Sequence, residues 1–570
     1  MITKISKRHL IGLSFIICQL SFSIALVSCS EMLETSSELV EFEKDNTLNH
    51  TTDSVYSVMG IVNKLQFIAD RTVLLGETRA DLMSATEAAS ADLKRLSAFD
   101  FSQGNKYNEV SDYYAVINNC NYFLAHIDTA MQRRGRNLFL NEYAVVKSFR
   151  AWTYLQLAIN YGNVPLVTEP LMTEVEARKA MNGPRASIAD ICDFFIKDLT
   201  PYVGVELPKY SSHNGMNPQQ FFLPMRVVLG DLCLWSGRYQ QAAYWYHDYL
   251  TDERNPVKLN ARRSTWPNAT ELLTPNTGYS VTGNDELISF IPMEGRVFDG
   301  VVSDLPNVYN STDQNYRYYQ LMPSIAMRNL SAAQTYCFEV KSDIRTDTLF
   351  APKVGLLDDI YAGDLRLCSN YSITSPGKDE YSEYNDERQT IKKLWENRVP
   401  VYRRSMVYLR YAEALNRAGF PQSAMCVLKY GICEENIEEY VDSTEQAKAG
   451  ELIIFDETFF PYNEAMGIHS FGSGDSQANP YFALPMPAEA LPTYEDTVSY
   501  QIPLVEDMII TEMALEGAFE GNRYYDLLRV ALRRNDPAYL ANPISRRMGD
   551  VDERLRSLLM DPQNWYLPLP

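Results

Sequence analysis

Residues 221–250, FFLPMRVVLGDLCLWSGRYQQAAYWYHDYL, decide the fold class. Val227, Val228, Leu232 and Leu234 recur at helical spacing, Gly237-Arg238 interrupts the pattern, and Ala242, Ala243, Trp245, Tyr246 and Tyr249 supply the apolar face of a return helix. The spacing predicts a helical hairpin. Gly237 lies seven positions after Gly230, and Ala242 five after Gly237. In residues 407–428, VYLRYAEALNRAGFPQSAMCVL, the residues Ala412, Gly419 and Ala424 repeat those two steps. Small residues therefore recur where two helices must cross closely.

A hairpin of this kind cannot bury its own apolar face and must stack on neighbours, which is the tetratricopeptide-type pattern. A generic helical hairpin would satisfy either copy alone; the shared spacing favours the repeat. Working outward, residues 52–75 place Val55, Val58, Met59, Val62, Leu65 and Ile68 three and four apart, and further helices are predicted over 110–131 and 141–160. Residues 187–199 form another, capped by Ser187 with Asp190 three positions on. Residues 77–107 read as a short helix in an exposed loop region. The expected class is mainly α, a tetratricopeptide-like helical-hairpin scaffold.

The character changes between residues 251 and 398, where Pro, Gly, Asn and Thr become frequent and long helical patterns are few. The run ELISFIP, residues 286–292, reads as a strand. This block is expected to be a loop-rich insertion resting on the scaffold, where binding function tends to sit. It contains NYRYY, with Tyr316, Tyr318 and Tyr319, for which core filling or loop anchoring is as good an explanation as ligand contact. Helical pairing returns after residue 398.

With 570 residues, 46% apolar and 12% aromatic, the chain can bury a sizeable core as one large or two to three modest domains. The formal net charge is −21, and without residues 1–28, which hold Lys4, Lys7 and Arg8 and no acid, it is −24. Nucleic acid is not expected as a partner, because phosphate binding needs clustered cations, and the acidity is read as serving solubility. That basic start precedes an apolar run from Leu10 to Val27, the order of a secretory signal. Its end, Leu26-Val27-Ser28-Cys29, resembles the bacterial lipobox, which implies acylation of Cys29 and anchoring rather than spanning. The alternative is an ordinary signal peptide that leaves Cys29 a free thiol. The domain plan is a signal peptide at 1–28, a lipidated tether at 29–48, an N-terminal helical part at 49–250, the insertion at 251–398 and a C-terminal helical part at 399–570.

Catalytic patterns are absent. The six histidines occur singly, with no HExxH, no GxSxG and no metal-spaced Cys/His cluster. Residues 467–475, GIHSFGSGD, lack the GxxxxGK[ST] of a phosphate loop. Adjacent acids such as Asp358-Asp359 could form a glycosidase pair, but sequence does not set the carboxyl separation. Cys120, Cys192, Cys233, Cys337, Cys368, Cys426 and Cys433 form no CxxC and are expected as buried thiols. A binder without cofactor or metal is expected, not an enzyme.

Four separated motifs then carry a family resemblance. After Cys29-Ser30-Glu31-Met32-Leu33-Glu34, residues 142–167 hold Arg150, Ala151, Tyr154, Leu157, Tyr161, Gly162 and Pro165. Residues 409–416, LRYAEALN, follow, and then EGAFEGNRYYDLLR, with Glu516, Glu520, Gly521, Arg523, Tyr524, Asp526, Leu527 and Arg529. Gly363-Asp364-Leu365-Arg366 and the closing Asn564-Trp565-Tyr566-Leu567-Pro568 accompany them. Together they resemble the SusD-like (RagB/SusD) family of outer-membrane nutrient-binding lipoproteins. The charges of the last helix are read as struts, with Glu520–Arg523 and Asp526–Arg529 as i,i+3 pairs. The resemblance implies a lipid-anchored protein facing outside the cell. It would capture oligosaccharide for a SusC-like TonB-dependent transporter, with a ligand face drawing on Glu77, Arg79, Asp81, Tyr316, Tyr318 and Tyr319. A peptide-binding RagB-type relative would share every motif, and a surface glycosidase is the third class.

Overall fold

The computed structural model describes residues 51–212, 215–252, 286–295, 300–310, 319–341, 346–350, 362–374, 388–394 and 397–569, with Leu48, Arg254 and the pairs 264–265 and 276–277. The chain divides after Asn49, and the described helices and strands belong to the unit His50–Pro570. Cys29, the leader and Asp358-Asp359 lie outside the described residues.

The helices form where the spacing placed them. α1 (Thr51–Thr78) buries Val58, Ile61, Val62, Leu65 and Ile68. α2 (Val110–His126) and α3 (Leu140–Tyr161) follow, and α4 (Ile188–Leu199) starts at a complete capping box between Ser187 and Asp190. α5 (Met225–Trp235) and α6 (Tyr239–Leu250) are the decisive hairpin, and α7 (Arg404–Arg417) and α8 (Pro421–Met425) are its counterpart. Gly237 and Gly419 end the first helix of each pair with φ of 76° and 100°, a region costly to residues with a Cβ. Gly230 explains the small residue upstream: a Cβ there would lie 2.4 Å from the Tyr246 ring.

Each helix packs on the next, α1 on α2 and so on through α7, which also receives α9 (Tyr494–Glu516). α10 (Arg523–Arg534) returns to α1, and α11 (Pro537–Ser545) packs against α10. The stack thus closes its end onto its beginning. Several apolar faces point inward in succession, consistent with a mainly α scaffold in which hairpins bury one another. No described helix is long and apolar enough to cross a membrane. All seven cysteines named above are free and buried.

The described parts of the central block are more deeply built in than an insertion resting on the surface. Strand β1 (Leu287–Pro292), buried along its whole length, pairs antiparallel with β2 (Arg398–Arg403) and touches α1, where Gln66 Nε2 donates to Pro292 O at 2.7 Å. The pair brings charge to the centre through Glu286, just before β1, and Arg403, at the end of β2. Arg403 Nη1 meets Glu516 at 2.6 Å and Glu286 at 3.1 Å, and its Nε meets Glu520 at 3.0 Å. Arg366 grips Asp364 through Nε at 3.0 Å and Nη2 at 2.8 Å, and through Nη1 meets Glu512 at 2.7 Å and Glu516 at 3.0 Å. Lys393 meets Glu520 at 2.6 Å. The Gly-rich turn at 467–475 joins in: His469 Nδ1 lies 2.8 Å from Glu512, Ser473 donates to Asp364 at 2.7 Å, and a Cβ on Gly472 would lie 2.0 Å from an Asp364 oxygen. Burial alone would raise the Glu516 carboxyl, but the charges of Arg403 and Arg366 outweigh it and hold the group below the usual carboxylate range.

One expected strut is not there. Asp526 and Arg529 pair at 2.9 Å, but Glu520 and Arg523 do not, because α9 ends at Glu516 and α10 begins at Arg523. Between them Gly521 takes φ of 94°, and the i,i+3 geometry needs a continuous helix. Glu520 turns to Arg403 and Lys393, and Arg523 to Asp81 at 2.7 Å.

Removing one member of such a cluster strands the others. Arg366→Met is expected to lower unfolding free energy by about 3–5 kcal/mol, since it leaves Asp364, Glu512 and Glu516 short of a cation. Arg178→Ala, which breaks an ion pair to Glu174 exposed by 75% and 77%, is expected to change it by less than about 0.5 kcal/mol. Urea-denaturation midpoints measured side by side check the contrast.

Candidate ligand-binding groove

The C-terminal stretch forms one wall of an open groove, and its backbone explains how. Trp565, 2% exposed, donates from Nε1 to Leu559 O at 2.7 Å, while its own carbonyl accepts from the Tyr524 hydroxyl at 2.5 Å. Leu567 N donates to Asn160 O at 2.8 Å, and Asn108 Nδ2 to Pro568 O at 3.2 Å. Along extended chain successive side chains face opposite ways, so with Trp565 and Leu567 buried, Tyr566 between them faces out. Its ring lies over Gly162, where a Cβ would stand 3.2 Å away. Gly162 has φ of 72° and turns the chain after α3, so the helix stop read from the sequence also leaves room for that ring.

The remaining aromatic wall comes from distant parts of the chain. Phe99, held at φ of 53°, contacts Phe101 edge-on at 6.3 Å and Tyr524 at 6.0 Å. Trp235 ends α5, with the Arg529 guanidinium 5.5 Å from its ring centre. Tyr161 ends α3; its hydroxyl is buried without a hydrogen-bond partner among the described residues, and burial pushes it upward. Asn163, Arg185, Gln563 and Asn564 also line the groove. Its volume is about 840 Å³, within the range of small-molecule sites. Flat aromatic faces beside amides and a guanidinium suit a ligand with apolar faces and many hydroxyls. No carboxylate is among the described lining residues, so the pair of acids that glycoside hydrolysis requires is not found there. Among the described residues no group of three or more His, Cys, Asp or Glu is placed to hold a metal.

Of the residues expected at the ligand face, Glu77, Arg79 and Asp81 stand elsewhere. Glu77 and Arg79 are fully buried and Asp81 is 5% exposed. Glu77 accepts from Gly521 N at 2.8 Å, and Asp81 takes both Arg523 nitrogens, Nε at 2.7 Å and Nη2 at 2.9 Å. Arg79 donates to Asn160 Oδ1 at 2.5 Å and to Trp565 O at 3.4 Å, with Tyr524 stacked 4.1 Å from its guanidinium. They are sealed from solvent because α1 runs to Thr78 and α10 packs on it, in place of the exposed loop expected there. Arg79 nevertheless acts on the groove, since it supports the wall from behind. Just beyond them the chain pairs with a strand of the central block. Met83–Ala85 pairs antiparallel with Leu321–Pro323, and Thr86 Oγ1 donates to the carbonyl of half-buried Tyr319 at 2.7 Å. Tyr316 and Tyr318 lie outside the described residues. Sequence reasoning did not place Phe99, Phe101, Trp235 or Tyr566 at a ligand face: Tyr566 was read only as part of the closing motif, and the other three had no signal beyond the high aromatic content.

No model of a known protein family matches the chain, and no curated protein matches it. Solved structures do. A SusD superfamily protein from Bacteroides vulgatus is similar with a TM-score of 0.55 at 13% identity, covering 92% of this chain and 96% of that one. Another from Bacteroides thetaiotaomicron reaches 0.53 at 16% identity, covering 92% and 95%. A SusD-like carbohydrate binding protein from Bacteroides fragilis reaches 0.51 at 17% identity, covering 86% and 88%. The chain has the SusD-like fold.

Glu77 provides a pH test of this buried support. Burial raises its carboxyl from 4.5 to about 8, against the opposing Gly521 N–H and Lys393, and its second oxygen has no hydrogen-bond partner among the described residues. A raised folded-state pKa means that the folded state holds the proton more tightly, so stability is lost as pH rises from about 4.5 to about 8. Glu77→Gln removes that dependence. The variant is expected to gain on the parent chain between pH 5 and 8 by at most about 1.4 kcal/mol per pH unit, read from urea midpoints at several pH values.

Proposed function

We propose that the protein captures a glycan at the cell surface and releases it unaltered. The observation that carries this reading is the open groove, where Phe101, Trp235 and Tyr566 stand beside Asn163, Arg185 and Gln563 and where no described carboxylate offers hydrolysis. The fold supports it, since one of the similar solved structures is a SusD-like carbohydrate binding protein. In this reading the aromatic faces hold the apolar sides of sugar rings, and the amides and guanidinium receive hydroxyls. Acyl chains on Cys29 hold the protein to the outer membrane, and a SusC-like TonB-dependent transporter receives the glycan. Two or more acyl chains give lasting attachment without a spanning helix.

Glycan-array screening followed by calorimetry tests the groove. Trp235→Ala and Tyr566→Ala are each expected to weaken the best glycan about tenfold, a loss of about 1.4 kcal/mol. Affinity unmoved by both changes, or binding of peptides with no glycan bound, would overturn the reading. Cys29→Ser is expected to move the protein from the detergent phase to the aqueous phase on Triton X-114 partition of whole cells; unchanged partition would remove the anchor from it.

A further inference from the structure

We infer that a second pocket, sharing no lining residue with the groove, binds a small apolar carboxylate through Arg404. The pocket lies where the end of α6 meets the start of α7, and its internal space is about 90 Å³. Tyr408, Val427, Ile432, Phe459, Phe460 and Phe471 make its walls largely apolar. Arg404 lines it and is 4% exposed.

Arg404 differs from its neighbour Arg403 for a reason in the backbone. Arg403 has extended dihedrals, φ −125° and ψ 144°, so consecutive side chains there leave on opposite sides. Arg403 enters the central cluster, with Glu286, Glu516 and Glu520 around it. Arg404 goes the other way, where Nη2 donates to Leu250 O at 2.7 Å and the Tyr408 hydroxyl lies close enough to feel its charge. Its Nε and Nη1 are buried with no hydrogen-bond partner meeting ordinary geometry among the described residues, and no described carboxylate lies within ion-pair distance. Tyr408 packs beside it, its ring centre 5.8 Å from the guanidinium carbon.

The acids nearby do not answer this charge. Asp252 lines the pocket but is held by Arg226 Nη1 at 2.6 Å and by Arg254 Nη2 at 2.8 Å, and Glu464 is exposed. A guanidinium taken from water with donors unmet is costly, and a carboxylate is its strongest partner. The surrounding phenyl rings require the rest of that partner to be apolar and small. An aryl or short alkyl monocarboxylic acid meets both conditions, whereas a neutral sugar would leave the charge uncompensated.

Calorimetry with sodium 3-phenylpropanoate, on the whole mature chain, tests the assignment. The acid is expected to bind, and its neutral amide, 3-phenylpropanamide, to bind at least about tenfold more weakly to the same unaltered protein, since the amide leaves the buried charge unpaired. Arg404→Met is expected to abolish binding, Arg404→Lys to keep part of it, and Phe460→Ala to weaken it. Trp235→Ala is expected to leave it unchanged, which separates this pocket from the glycan reading. Equal binding of acid and amide, no binding of the acid, or equal response to inorganic phosphate would each overturn the inference; the acid and amide comparison stands even if an Arg404 variant fails to fold.

Discussion

The molecule is organised by the need to neutralise charge where water does not reach. Glu516 is fully buried and touches Arg366 and Arg403, which in turn hold Asp364, Glu286, Glu512 and Glu520. These residues come from widely separated parts of the chain, and none of the acids could remain ionised there alone. The cluster therefore ties the strand Leu287–Pro292, the Asp364-Leu365-Arg366 turn and helix α9 into one arrangement. The described segments of the central block that carry these residues are for this reason part of the core, although the block's composition is that of loops.

The same accounting of buried polar groups shapes the surface sites. Around the groove, carbonyls and donors of the last residues are met by Tyr524, Asn160 and Asn108, so the tail lies as a fixed wall with Tyr566 facing out. Arg79 reaches that wall from behind and stacks on Tyr524. In the second pocket the accounting is left incomplete at Arg404, one residue from the most fully paired arginine of the cluster. Exposure and unmet hydrogen bonds, more than residue type, separate a strut from a candidate site.

Much of the helical part was legible because it rests on local rules. Gly237 and Gly419 mark turns by their backbone freedom, Ser187 and Asp190 mark a helix start, and the apolar spacing of α1 marks its inward face. The motif from Glu516 to Arg529 was legible as a set of struts, but not its partners. Reading Glu520 with Arg523 assumed a helix that Gly517 to Asn522 does not form. The groove was not legible, because Phe99, Trp235 and Tyr566 are ordinary aromatic residues until the fold brings them to one opening. Glu77, Arg79 and Asp81 were placed on the ligand face by the family resemblance; packing of α10 over them buries them instead.

The sequence by itself determined the class of architecture, the helix boundaries near glycines and caps, and the net acidity, since periodicity, backbone preference and net charge are properties of neighbouring residues or of the whole count. Only the tertiary structure decided which carboxylate faces which guanidinium, which aromatic rings meet at an opening, and why Arg403 is satisfied while Arg404 is not. Those outcomes depend on the direction in which each side chain leaves the backbone and on what distant segment arrives opposite it, and neither is encoded within reach along the chain.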